Sequence, residues 1–99
     1  MPNRLDYAEK FLDRDLYEID VLEYMSLIMD QGYVSVGYFE ISDGRETVNV
    51  QTIWTGLSSK LFVTEVEGGK MSGHVCTYSS EIDALVGHEQ IVDSVKELI

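Results

Sequence analysis

The chain holds one cysteine, Cys76, so no disulfide can form within it and its fold must stand on a hydrophobic core. Cations are scarce. Seven Lys and Arg face 18 Asp and Glu, for a net charge of −11. Gripping a phosphate backbone takes Lys and Arg in numbers, so this deficit excludes direct nucleic-acid binding. Long hydrophobic runs are also missing. The longest uncharged stretch, Thr47 to Ser59, is too short and too polar for a bilayer, which needs about 20 apolar residues. Met1 to Lys10 is mixed in charge with no apolar centre, so no secretory signal is read there and no membrane association is expected. An intracellular setting, the host cytoplasm, is the expectation.

What is present suffices for one core. Ninety-nine residues, 44% apolar and 10% aromatic, are read as a single α+β domain over residues 1–99. Eight acids fall in the first thirty residues, among them Asp13, Asp15 and Glu18, against Arg4, Lys10 and Arg14. Three readings stand: a solvated helical face, a negative surface that docks on a basic partner, and adaptation to high salt. Partner binding weakens with added salt under the second and holds under the third.

From Leu5 to Asp30, apolar residues recur at helical spacing through Leu5, Ala8, Phe11, Leu12, Leu16, Ile19, Leu22, Tyr24, Leu27 and Ile28. The Asp13-Arg14-Asp15 cluster sits at a change of phase. Two helical pieces are therefore predicted, the second capped by Asp15 with Glu18 three residues on, and Gly32 is the expected stop. Period two follows in Tyr33–Ile41 and Val48–Thr55, with Asp43-Gly44 as a two-residue turn pairing Ile41 with Glu46, Phe39 with Val48, Gly37 with Val50 and Tyr33 with Trp54. A second hairpin joins Lys60–Val66 to Met71–Tyr78 through Gly68-Gly69. Ser80, with Asp83 three residues on, caps a last helix whose buried stripe is Ala84, Leu85, His88, Ile91, Val92, Val95, Leu98 and Ile99.

The architecture is thus an N-terminal helix or helical pair, a four-stranded antiparallel meander and a C-terminal helix. Tyr33, Phe39, Ile41, Val48, Val50 and Trp54 share the face that takes the helices. The opposite face shows Val34, Val36, Tyr38 and Ile53 among Asn49, Gln51 and Thr55. Apolar residues there imply a covered face, either by a second copy as a homodimer or by the chain's own N-terminal helix.

His74, Cys76 and His88 are the residues that suggest metal or nucleophilic chemistry. His74 and Cys76 are two apart on a predicted strand and point to one face, which offers two ligands of a zinc site, with His88 as a third. No Cys-x-x-Cys or His-Glu-x-x-His spacing occurs, and no phosphate-binding Gly pattern. No cofactor is expected. His88 interrupts an apolar stripe and reads either as a buried imidazole bonded to a backbone carbonyl or Tyr hydroxyl, or as part of a pocket. Trp54 reads as core or as a stacking platform.

Thr52-Ile53-Trp54-Thr55-Gly56, Phe62-Val63-Thr64-Glu65-Val66, Tyr78-Ser79-Ser80 and Ala84-Leu85-Val86-Gly87-His88-Glu89 together resemble a group of small phage and prophage proteins. The resemblance spans about residues 50 to 93, and its most specific part is the Ala-Leu-x-Gly-His-Glu helix. It implies a viral accessory role, and a Gly87 that makes a close helix contact with His88 beside Tyr78 and Trp54. Those proteins carry a longer Gly- and Pro-rich loop with a further His, where this chain has only Leu57-Ser58-Ser59-Lys60, so a site built with that loop is not implied.

Three functions follow. The first is a non-enzymatic protein that binds a host or viral protein, as an inhibitor of a host system, through Asp13, Asp15, Glu18, Val34, Val36 and Tyr38. The second binds or sequesters a nucleotide-like ligand at Trp54, Tyr78 and His88. The third is a metal-binding or hydrolytic domain using His74, Cys76 and His88.

Overall fold

The first elements among the described residues are two short strands, β1 (Phe11–Leu12) and β2 (Glu18–Ile19), where a helix was expected. The computed structural model describes residues 9–99, so the helical positions Leu5 and Ala8 lie outside the described residues. Asp13 is the reason the helix does not run through. Its Oδ1 accepts from the amides of Asp15 and Tyr17, both at 2.9 Å, a local bond that competes with the helical ladder. Leu16 then takes a left-handed φ of 75°.

Helix α1 (Val21–Ile28) starts at Asp20, not Asp15. The Asp20 carboxylate accepts from the Glu23 amide at 2.8 Å, the same cap-and-acid spacing expected five residues earlier. Gly32 does not end a helix. Asp30 starts a second short one, α2 (Gln31–Val34), by accepting from the amides of Gly32 and Tyr33.

The four-stranded sheet runs in the order β3 (Ser35–Ser42), β4 (Thr47–Trp54), β5 (Phe62–Glu67), β6 (Val75–Tyr78), all antiparallel. The first turn takes four residues, since Asp43 Oδ1 accepts from the amides of Arg45 and Glu46 and Gly44 supplies φ 87°. Ile41 therefore opposes Val48 and Phe39 opposes Val50, a slip of two from the expected register. From Gly37 to Ser42 a slip of two keeps side chains on their expected faces, and a bulge between Ser35 and Gly37 then shifts the register by one. Tyr33 is not opposite Trp54 in the ladder but meets it edge-on from α2, ring centroids 5.0 Å apart. In the second hairpin, residues 68–74 form a loop containing three positive-φ glycines, which takes Met71 to His74 out of the expected strand.

Helix α3 (Glu81–Leu98) begins at Ser80, whose hydroxyl accepts from Asp83 N at 3.2 Å. It touches all four strands of the sheet. Its buried side is Ala84, Gly87, His88, Ile91, Val92 and Val95. Leu85, Leu98 and Ile99, expected inside, are exposed. Leu85 lies about 100° round the helix from Ala84, outside a stripe that Gly87 completes.

Two apolar clusters fill the sheet–helix space. Val48, Val50, Val66, Ile91, Val92 and Val95 form one under the end of α3. The other centres on Trp54, Leu61, Phe62, Ala84 and Val34, with residues of β1, β2, α1 and α2 packed against it.

Candidate functional site

Between those clusters lies a polar layer. Gly37, Thr52, Thr64 and Cys76 are successive register partners across the four strands. Thr52 and Thr64 are fully buried, and their hydroxyls meet at 2.5 Å. Thr52 Oγ1 is 2.8 Å from His88 Nδ1, so the imidazole bonds a threonine and not the carbonyl or tyrosine expected. The ring lies over Gly37, where an added Cβ would come within 3.1 Å of it. Burial holds the His88 pKa below its ordinary 6.5, with neighbouring Glu89 opposing weakly. Tyr78 packs on Gly87 so closely that a Cβ there would fall 2.3 Å from the ring and hydroxyl. A close contact at Gly87 was expected, but the residue that makes it, Tyr78, was expected beside His88.

Trp54 does not join a pocket with His88 and Tyr78. Its indole is fully buried, flanked by Tyr24 and Tyr33, and its N–H donates to the Leu12 carbonyl at 2.9 Å. A ring packed on its faces and satisfied at its nitrogen has no place for a ligand to stack. His74 and Cys76 do meet, with Nε2 and Sγ 3.2 Å apart. His88 does not complete a triad with them. Among the described residues no three His, Cys, Asp or Glu side chains are placed to hold one metal ion.

The far face of the sheet differs from its sequence reading. Val34 sits in α2 and is 9% exposed. Val36 and Ile53 are half-buried against the Trp54 cluster, which Leu27 and Ile28 of α1 also join. Of the apolar residues expected on this face only Tyr38 is open, and its hydroxyl donates to Glu40 at 2.8 Å, which pushes its pKa up. Around it Asn49, Gln51, Glu65 and Glu67 line a polar hollow of about 320 Å³. The chain's own N-terminal elements thus cover the apolar end of this face, and the expected homodimer loses the surface on which it was based.

Apolar residues are exposed elsewhere. Seven of the nine residues from Val21 to Met29 are apolar, and a two-turn helix can bury only one side of them. Tyr24, Leu27 and Ile28 face inward, Tyr24 stacking on Phe11 at 4.2 Å. Val21, Leu22, Met25 and Met29 face out, with Leu22 76% and Met29 80% exposed. Leu16 and Tyr17 are exposed in the preceding turn. Sequence reasoning missed this surface because it assigned the whole segment to one amphipathic stripe. The all-round apolarity of Val21–Met29 was the available signal.

Acids flank these residues in the chain. Asp15, Glu18, Asp20, Glu23 and Asp30 are all exposed, while Asp13 is half-buried in its turn. The turn is fixed by Arg14, which pairs with both oxygens of Glu81 at 2.7 and 2.8 Å and donates to the Tyr33 carbonyl at 3.0 Å. That pairing holds the Glu81 carboxyl below its ordinary 4.5. Arg14, Asp15, Leu16, Ser80, Glu81 and Ile82 line a recess of about 330 Å³ beside the turn.

No family model, curated protein or solved structure matches this chain. No helix among the described residues is long and apolar enough to cross a membrane.

Proposed function

We propose that this is a small acidic protein that acts by binding a protein partner and catalyses no reaction. The single observation that carries the reading is the outward face of α1, where Val21, Leu22, Met25 and Met29 stand in water, with exposed acids at Asp20, Glu23 and Asp30 in and beside the helix. Apolar anchors surrounded by charge are the anatomy of a docking patch, with the anchors supplying affinity and the rim supplying orientation and encounter rate. Asp15 and Glu18 keep the role expected of them. Val34, Val36 and Tyr38 give way to the α1 residues. The resemblance of residues 50–93 to phage and prophage proteins supports a viral accessory setting, in which occupying a host protein's basic surface would inhibit it.

The test is comparative capture. Tagged wild-type protein, the Leu22→Ser/Met25→Ser variant and an Asp15→Lys/Glu18→Lys/Glu23→Lys variant are each exposed to host extract and the bound proteins quantified. One or more proteins held by wild type and lost by both variants is the expected result. Capture that neither variant disturbs would move the docking surface away from α1.

A further inference from the structure

Resting on that reading, we infer that the partner presents to α1 a cationic amphipathic helix. Leu22, Met25 and Met29 are spaced by three and four residues, so they form one ridge along a helix about 12 Å long. Such a ridge fits the groove between apolar residues at matching spacing on a second helix. Methionine side chains are unbranched and adapt to the shape laid against them. Charge then selects among helices. From Asp15 to Gly44 the chain has seven acids and no Lys or Arg. A second copy docked here by two-fold symmetry would set this segment against itself, acid on acid, with no cation to relieve it. The last turn of α1 also lacks a basic residue, so the negative end of its dipole stands uncompensated beside Asp30. A Lys or Arg arriving from the partner would meet both.

The experiment uses a designed probe. A Leu/Lys peptide of about 18 residues, patterned to put all leucines on one helical face, is titrated against the full chain at low salt. A scrambled isomer of equal charge and a Leu/Glu peptide of the same pattern run beside it. The expected result is binding of the patterned Leu/Lys peptide about tenfold or more tighter than the scrambled isomer, with amide shifts centred on Val21 to Met29. In the Leu22→Ser/Met25→Ser variant that preference should vanish while the circular dichroism spectrum stays native. Equal binding of patterned and scrambled peptides would overturn the helical partner yet leave an acidic docking surface standing. Equal binding of the Leu/Glu peptide would overturn the charge selection. Failure of every peptide, together with self-association that the double variant abolishes, would assign the face to a second copy and overturn the inference. Failure of every peptide without self-association would overturn this inference, while the function it rests on stands or falls with the capture experiment.

Discussion

Gly87 gives α3 its closest approach to the sheet, because only hydrogen stands between its backbone and the Tyr78 ring. Alanine there would gain about 1 kcal/mol of helix propensity but must displace a packed aromatic, at about 1–3 kcal/mol. The expected outcome in urea denaturation is that Gly87→Ala destabilises the wild type by up to about 2 kcal/mol, the displacement cost less the propensity gain. In a Tyr78→Val background, where the ring is gone, the same change should be neutral or stabilising by up to about 1 kcal/mol. His88 offers a second check at this scale. Its folded-state pKa lies below the ordinary 6.5, so between those two values the unfolded chain binds more protons than the folded one. Stability is full above pH 6.5 and falls as the pH drops toward the folded value. Thermal melts of the wild type should show that decline, and His88→Gln, which keeps a hydrogen-bonding partner for Thr52 without a titrating ring, should lack it. The Glu81 contribution is separable, since its lowered pKa confines its loss to pH below 4.5.

Asp20 governs the element that carries the proposed function. It caps a helix of eight residues with no fully buried side chain, so the cap matters more here than in a long, packed helix. Asp20→Ala should cost about 1 kcal/mol and raise amide exchange within Val21–Ile28 ahead of the sheet. The sheet and α3 were legible in the sequence because their signals are local: alternation on β4, Asp-Gly at a turn, Ser80 ahead of an apolar stripe. The hairpin β1–β2 was not. Phe11, Leu12, Leu16 and Ile19 have helical spacing, and what overrides it is the Asp13 side chain bonding its own backbone, together with Arg14 reaching Glu81, 67 residues away. Likewise His88 was legible as a buried ring, but its partner Thr52 depended on strand register, which slipped by two. The docking face was misplaced for a related reason. Val34 and Val36 look exposed only if Tyr33–Ile41 is one continuous strand, and α2 folds Val34 inward instead.

For the molecule as a whole, the distribution of charge decides more than its sum. A net −11 spread evenly would be solubilising background. On the proposed reading, the exposed acids in and beside α1, with no Lys or Arg from Asp15 to Gly44, make that side select for cationic surfaces and lower its affinity for a copy of itself. Partner binding should therefore weaken as salt rises, while the apolar anchors keep part of the affinity at high ionic strength. The most direct measurement is a methyl NMR spectrum of methionine-labelled protein titrated with the captured partner. Met25 and Met29 report on the α1 face, and Met71, half-buried against the cluster under α3, serves as an internal reference. The expected result is that the Met25 and Met29 methyl signals shift or broaden through the titration while Met71 holds its position. A saturated complex in which Met25 and Met29 keep their free-protein signals would contradict binding through α1.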